Sequence, residues 1–586
     1  LFFLMIRRPP RSTLFPYTTL FRSSPTILEI KQDLSVENEE EYHLIIKENR
    51  IQIISKTEKA AFYGLITLKQ LQSEQIIETQ DIKDKPDLEV RGLMLDISRA
   101  KVLNVSSIKK IIDLIAELKY NHLELYVEGF SYEYKNIKEA LADKNYLTQE
   151  EYLEVEKYAI EKYIDFVPNQ NGFGHMSDWL ALDKFKELAE CPDGFEIWGS
   201  KRPPSTLDPT NPKSFELVKQ MYEEMIPFTK SKYFNMNFDE PYELGHGKSK
   251  QECLKTSTED VYIEYLEKLA NVVRKYNKTP MIWGDVLVKH PDKISKLSKD
   301  IVFIDWGYNK AYDFVNHAKM LEELKVKYLL APGTSTWSSI TGRFIDMKET
   351  IENSTCSSKK YHGLGILLTD WGDMGHLQYL PSSYLGFIYG AMLSWSSGTI
   401  EDAEKYLAII LNDETLAKVI VELSHYHELE GEYRDYGTRL FASIMWAEHG
   451  RRQDDKVNFF LNRMKSNIIS YEAVQKLHDL FIQEKNKLQN AKECLEKDEI
   501  KNAILLLETL LAINERLHSY LDNCIVNFDE PIKNLEKYLE NHKKLWLARN
   551  IKEGYAFSAN RINWLIEMLM CLDRKEKIWW RLKKCI

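Results

Sequence analysis

The sequence predicts an α/β chain built on a (β/α)8 TIM barrel, with a small N-terminal α+β domain and a C-terminal all-helical region. Three observations carry that expectation. At 586 residues the chain is too long for one compact core. From Val90 to about Ser397, short apolar runs alternate with amphipathic helical patterns, roughly eight times in about 300 residues. After Glu401 the pattern turns almost wholly helical. The chain therefore divides into a small domain over 24–88, a barrel over 89–400 and a helical region over 401–586.

In the small domain, strand-like runs at Tyr42–Ile46 and Ile51–Ile54 precede one helix, Glu58–Leu71, and Pro86 marks the boundary. Barrel strands are expected at Leu93–Ile97, Leu123–Val127, Ile164–Pro168, Tyr233–Phe238, Met281–Trp283, Ile301–Trp306, Tyr328–Ala331 and Gly363–Leu368. Helical patterns between them include Ser107–Leu118, Ser214–Phe228, Val261–Tyr276 and Tyr312–Leu324. An open doubly wound sheet shares this alternation, but no glycine-rich phosphate loop follows any strand. In the last region, Asn502–Leu517 and Pro531–Leu547 carry apolar residues at helical spacing among charges. They read as an appendage that packs on the barrel or forms a homo-oligomer contact.

Leu1 to Ser23 reads LFFLMIRRPPRSTLFPYTTLFRS. Its apolar run precedes the basic residues and no small-residue cleavage site follows, unlike a secretory signal. It resembles a translated sequencing adapter and is set aside from the fold. The net charge of −10 and the absence of a long basic block argue against a nucleic-acid partner. No later segment has the unbroken apolar run of a membrane helix, so no membrane partner is expected. The seven cysteines are scattered without a CxxC pair, which predicts neither a zinc site nor a disulfide framework and leans toward the cytoplasm. Gly247-Lys248-Ser249 ends like a phosphate loop, but the earlier glycine is replaced by Tyr242. No HExxH occurs, and neither metal nor cofactor is expected.

Barrel active sites lie at the C-terminal ends of the strands. Taken in order, the strand ends carry Asp96 and Arg99, then Glu128, then Asn169, Asn171 and His175. Next come Asp239 and Glu240, then Trp283 and Asp285, then Trp306 and Tyr308, then Thr334 and Trp337, and last Asp370, Trp371 and Asp373. Carboxylates, one Arg, one His and several Trp on one rim suit a sugar, because aromatic faces stack on its C–H surfaces and charged groups bind its hydroxyls. A phosphate ester would call for more cations. The adjacent pair Asp239-Glu240 closes a run that reads as buried, where charge is costly unless put to use. Strand side chains alternate between faces, so both acids point inward only if the strand curls, and Pro241 makes such a turn plausible.

These motifs resemble family 20 glycoside hydrolases, the β-N-acetylhexosaminidases, over roughly residues 40 to 400. The matching stretches are AAFYGLITLKQL (60–71), RGLMLDISR (91–99), NQNGFGH (169–175), FDEPYELG (238–245), WGD (283–285), WGY (306–308) and DWGD (370–373). The resemblance implies a retaining, substrate-assisted reaction in which the 2-acetamido carbonyl attacks the anomeric carbon and gives an oxazolinium ion, in place of the nucleophilic carboxylate of the two-carboxylate scheme. Asp239 then orients the acetamide, and Glu240 is the general acid/base, with a pKa expected to be raised by its neighbour and by burial. Arg99 and Asp373 match the groups that hold the terminal sugar's hydroxyls. Trp283, Trp306 and Trp371 match the walls around the acetamide methyl, His175 tunes the acid, and Glu128 is its plausible partner. The family's usual His-x-Gly-Gly before the acids is replaced by Asn235-Met-Asn-Phe, and its acetamide-binding Tyr by Thr334, with Tyr308 as a substitute. The implied activity is exo-hydrolysis of terminal β-linked GlcNAc or GalNAc. Two alternatives stay open: a retaining glycosidase pairing Glu240 with Asp373 or Glu128, and a non-catalytic sugar-binding barrel. Arg99 could simply pair with Asp96, and His175 could be a capped loop histidine.

Overall fold

The computed structural model describes residues 27–71, 78–142, 144–197, 199–522 and 524–583. The expectation for residues 1–23 lies outside them. The chain divides into two compact units, the first comprising the residues up to Glu89 together with Ser394–Ser397. In that unit the strands Tyr42–Lys47 and Arg50–Ser55 form an antiparallel hairpin, flanked by Ile27–Gln32 and Gln80–Asp84. Tyr42, Leu44, Ile51 and Ile53 alternate inward with period two and pack on Ala61, Tyr63 and Leu68 of the helix Glu58–Leu71.

The second unit, Val90–Leu393 with Gly398–Ile586, holds an eight-stranded parallel sheet. Its strands are β1 (Val90–Asp96), β2 (His122–Tyr126), β3 (Asp165–Val167), β4 (Tyr233–Asn235), β5 (Thr279–Trp283), β6 (Val302–Trp306), β7 (Lys327–Ala331) and β8 (Gly365–Asp370). They pair in sequence order, and β8 returns to β1 with Gly365 opposite Val90 and Asp370 opposite Leu95. A parallel bridge between Asn169 and Asn235 joins β3 to β4, with the Asn235 N–H donating to the Pro168 carbonyl at 3.0 Å. The sheet thus closes into the expected barrel. Its interior is filled by Val90, Met94, Val167, Met281, Val302, Ile304 and Leu329, under a layer of aromatic rings toward the C-terminal ends.

The helices outside the barrel form for local reasons. Val105–Glu117 starts where the Asn104 side chain accepts the Ser107 N–H, and it buries Ile108, Ile111, Ile112 and Ile115 at helical spacing. Thr258–Lys275 carries Glu259 and Asp260 in its first turn and Arg274 and Lys275 in its last, complementing the helix dipole.

The helical region includes Leu495–Leu521, Asp529–Arg549 and Tyr555–Lys583, and it packs against the segments that follow β1 and β8. The Ile551 N–H donates to the Val102 carbonyl at 2.8 Å, and the Tyr379 hydroxyl meets His542 Nδ1 at 2.9 Å. Arg549 is held by Glu499 at 2.6 Å and Glu496 at 2.8 Å. The last turn of contact is steric: a side chain at Gly375 would strike Arg561 Cγ at 2.4 Å.

Candidate active site

β4 ends at Asn235, three residues before the sequence expectation of Phe238. Asn237, Phe238 and Glu240 all adopt left-handed backbone, with φ of 62°, 73° and 49°. A left-handed residue breaks strand alternation. This curl turns both carboxylates to one side, and it begins before the acid pair rather than at Pro241.

The curl is held by a buried amide network. Glu124, fully buried, accepts from Asn169 at 2.7 Å and from Asn235 at 2.8 Å, while its other oxygen lies 2.8 Å from His122 Nε2. Asn237 donates to Asn169 Oδ1 at 2.7 Å and accepts the Trp283 indole N–H at 2.6 Å. Every polar atom named here has a partner, which is the condition for burying it.

Asp239 and Glu240 meet the same imidazole. His175 Nε2 lies 3.2 Å from Asp239 Oδ2 and 3.3 Å from Glu240 Oε2, and its Nδ1 lies 3.3 Å from Glu128 Oε2. Asn171 donates to the other oxygen of Asp239 at 2.8 Å. Burial alone would push His175 down, but Asp239, Glu128 and Glu240 outweigh it and hold its pKa well above the usual 6.5. The expected raised pKa of Glu240 is corrected by the same contacts. Burial raises it, yet the hydrogen bonds and charge of His175 and the hydroxyl of Tyr242 bring it below the usual carboxylate range. Burial pushes two neighbouring carboxyls up to about 7: Glu128, and Asp285, which accepts the Glu240 N–H at 3.1 Å.

Arg99 does pair with Asp96, at 3.1 Å, but it also reaches Glu128 at 3.4 Å and Asp373 at 3.5 Å. Its guanidinium lies over the edge-to-face pair of Tyr126 and Trp371, 5.3 and 5.2 Å from ring centroids that are 4.6 Å apart. Trp371 donates to the Tyr308 hydroxyl at 2.8 Å, and Trp306 stacks on Tyr308 with 19° between the rings. Trp283 is buried beneath Trp371, 5.8 Å away. Trp306 and Asp373 remain partly exposed at the mouth. The structure thus brings Arg99, Glu128, His175, Asp239, Glu240, Trp283, Trp306, Tyr308, Trp371 and Asp373 to one end of the barrel.

Three rim candidates are taken up by internal hydrogen bonds or core packing. Asp370 is buried against Thr334, Thr336 and Ser383, which donate to it at 2.6, 3.0 and 2.8 Å. Thr334 is spent on that contact, and the Tyr308 hydroxyl faces Trp371 instead. Trp337 is buried core, edge-on to Tyr308. Among the described residues no group of three or more His, Cys, Asp or Glu is placed to hold a metal.

Residues 89–337 match the profile described as "Glycosyl hydrolase family 20, catalytic domain". Over this stretch, somewhat less than half of the chain, the barrel is similar to the catalytic domain of glycosyl hydrolase family 20. Among curated relatives, Beta-hexosaminidase subunit A2 of Dictyostelium discoideum is 25% identical over 313 residues, 49% of this chain and 56% of that protein. Lacto-N-biosidase of Bifidobacterium bifidum is 26% identical over 282 residues, 46% of this chain and 24% of that protein. The chain thus spans little more than half of the one and a quarter of the other. Two solved structures share the fold. The GH20 exo β-N-acetylglucosaminidase of Vibrio harveyi has a TM-score of 0.54 at 18% identity, covering 66% of this chain and 68% of that one. The Flavobacterium johnsoniae chitobiase has a TM-score of 0.54 at 20% identity, covering 91% and 88%.

The site also uses residues that the sequence motifs do not include. Tyr242 donates to Glu240, and Tyr126 donates to Glu128 at 3.0 Å. Gly174 lets the loop of His175 lie against the acid pair: a Cβ there would sit 2.2 Å from the Asp239 carbonyl oxygen. Gln378 donates to the Trp371 carbonyl at 2.7 Å, and Lys101 donates to the Gln378 and His376 carbonyls at 2.7 and 3.1 Å. The glycine in NGFGH was a readable signal; the others emerge only from tertiary contacts.

Proposed function

We propose that this chain is an exo-acting β-N-acetylhexosaminidase that removes terminal β-linked GlcNAc or GalNAc with retention of configuration. The observation that carries the reading is the single imidazole of His175 bridging Asp239, Glu240 and Glu128, with Asn171 fixing Asp239. Asp239 accepts the acetamide N–H, which aims the acetamide oxygen at the anomeric carbon. That C–O bond forms as the glycosidic bond breaks. Glu240 gives its proton to the leaving oxygen and, once ionised, takes one from the water that opens the oxazolinium ion.

The low pKa of Glu240 without substrate is compatible with an acid role. The imidazolium of His175 and the carboxylate of Glu240 share one proton across 3.3 Å. Moving that proton gives a neutral imidazole and a carboxylic acid. Excluding water favours the neutral pair, because desolvation penalises separated charge. Arg99 and Asp373 grip hydroxyls of the terminal sugar. Trp371, Trp306 and the Tyr308 hydroxyl border the acetamide, with Trp283 beneath. None of these steps needs a cofactor.

The test is hydrolysis of an aryl N-acetyl-β-glucosaminide beside the matching β-glucoside. Turnover confined to the acetamido substrate is expected. Robust glucoside turnover would sink substrate assistance in favour of two protein carboxylates. Glu240→Gln should lower kcat by roughly 10²–10⁴-fold on poor leaving groups, the usual worth of a general acid. Saturable sugar binding with no turnover would instead mark a non-catalytic barrel.

A further inference from the structure

The turn after the acid pair folds a side chain back onto Glu240. Glu240 is left-handed, with φ 49°, and the ring of Pro241 restricts the next φ to about −65°. The Tyr242 N–H then donates to the Glu240 carbonyl at 2.7 Å, the hydrogen bond that closes a γ-turn. The chain is pinned on either side. Asp285 holds the Glu240 N–H at 3.1 Å. The carboxylate of buried Glu243 accepts the Ser205 N–H and hydroxyl at 2.7 and 3.0 Å and the Thr206 N–H at 3.3 Å. Folded back in this way, Tyr242 donates its hydroxyl to Glu240 Oε1 at 2.5 Å. The other oxygen, Oε2, meets His175 Nε2 at 3.3 Å. Among the described residues no other side chain hydrogen-bonds or ion-pairs with this carboxylate. The Glu240 side chain nevertheless keeps 25% of its surface exposed, which leaves it open to substrate.

The two partners are not equivalent. An imidazole nitrogen can give a proton or take one. The phenol stays a donor, because burial, the charge of Glu240 and the hydrogen bond to it push its pKa far above the usual 10. A neutral carboxyl carries its proton on one oxygen and accepts at the other. A fixed O–H aimed at Oε1 therefore makes Oε1 the acceptor and leaves Oε2 to bear the proton.

We propose that Tyr242 is a positioning residue that confines the transferred proton to Oε2 of Glu240, the oxygen shared with His175. The inference rests on the reaction proposed above. In its first step the Oε2–H bond breaks, the proton passes to the glycosidic oxygen, and that oxygen leaves the anomeric carbon with the bonding pair. In the second step a water proton passes to Oε2 as the water oxygen bonds the anomeric carbon and the acetamide C–O bond breaks. Tyr242 keeps its own proton throughout. The proton that rests on His175 and the proton that reacts are then one and the same, moved across 3.3 Å. Arg99, Asp285 and Asp373 also act on Glu240 through their charge, and all remain when the Tyr242 hydroxyl is removed.

Tyr242→Phe deletes the hydroxyl and keeps the ring. The experiment follows kcat/KM of the full chain over aryl N-acetyl-β-glucosaminides of rising leaving-group pKa. The variant should lose roughly tenfold or more on the poorest leaving groups and far less on the most activated, so the dependence on leaving-group pKa steepens. The alkaline limb of its pH profile should move upward by about one pH unit, because a donor to the ionised carboxylate is gone. A merely structural role would lower every substrate alike and leave the limb in place. An equal fall across the series, an unchanged slope or an unmoved limb overturns the proposal. The Glu240 carboxyl band, identified in the infrared by its loss in Glu240→Gln, reads the contact without turnover. It should titrate higher in Tyr242→Phe, and an unchanged titration overturns the proposal. A shifted titration in a chain that cleaves no N-acetylhexosaminide would sink the reaction alone.

Discussion

Replacing Gly174 by alanine would place a methyl group 2.2 Å from the Asp239 carbonyl oxygen and 3.2 Å from the Glu240 carbonyl carbon. Non-bonded heavy atoms of this kind rest at about 3.5 Å, so a gap of about 1 Å must open. The atoms struck are backbone, and their segment has little freedom. It is wound through three left-handed residues, its Phe238 carbonyl accepts the Tyr262 hydroxyl at 3.0 Å, and its Glu240 N–H is held by Asp285. The displacement therefore falls on the separation between His175, the next residue, and the two carboxylates it now meets at 3.2 and 3.3 Å. Misplacing reacting groups by about 1 Å costs on the order of 10²-fold in rate, and forcing a methyl into a packed site costs about 1–3 kcal/mol of stability. Steady-state hydrolysis of an aryl N-acetyl-β-glucosaminide, with a thermal melt alongside, checks both. We expect kcat to fall about 100-fold with KM near wild type, because Arg99, Trp371 and Asp373 are untouched. A folded Gly174→Ala variant with full kcat would refute the claim that this contact sets the acids' positions.

Three other substitutions probe the same site. His175→Asn removes the group that carries the shared proton to high pH, so the alkaline limb of the kcat–pH profile should move downward, toward the range of a carboxyl alone, as kcat falls. Because His175 is raised in the fold, its stabilising effect is complete below its unfolded value of about 6.5 and is lost as pH rises through its native value. The melting advantage of wild type over this variant should shrink at alkaline pH, and an advantage that grows would contradict the geometry. Asn237→Leu strands the Trp283 N–H, leaves the Asn169 side-chain oxygen with the Val127 N–H alone, and puts a bulky residue at a φ of 62°; denaturant unfolding should show a loss of about 3 kcal/mol. Lys101→Met leaves the buried His376 and Gln378 carbonyls without their donor, at about 1–3 kcal/mol each, and should raise KM more than it lowers kcat because Gln378 anchors Trp371. Burial holds Lys101 down to about 8 against 10.5. Between those values the unfolded chain binds more protons, so the stability contributed by this group rises with pH, a slope the variant should lack.

The barrel was legible because its cause is local. Alternating apolar runs and amphipathic helices appear in the one-dimensional pattern, and all eight strands fall where that pattern puts them. What escaped was the end of β4. Asn tolerates a left-handed backbone, so Asn237 was a usable hint, but Phe238 is a bulky side chain at a φ of 73°, which nothing in its neighbours announces. The requirement for a curl was correctly read from the adjacency of two acids; its location was not. Likewise, neighbouring strand ends nominated both Asp370 and Asp373. Strand and loop geometry buries Asp370 against Thr334 and Ser383 and leaves Asp373 beside Arg99, a choice the sequence does not record.

The direction of the Glu240 shift shows the same boundary between local and tertiary causes. A neighbouring carboxylate and partial burial both raise a carboxyl, and both are visible in the chain. The imidazolium that reverses them sits 65 residues earlier by the numbering of His175 and Glu240. It reaches them only because Gly174 lets two backbones touch. An acid tuned by a cation in this way cannot be assigned its protonation state from its own strand. In the proposed reaction its role turns on whether the shared proton lies on nitrogen or on oxygen, and exclusion of water by a bound sugar would shift that balance toward Glu240.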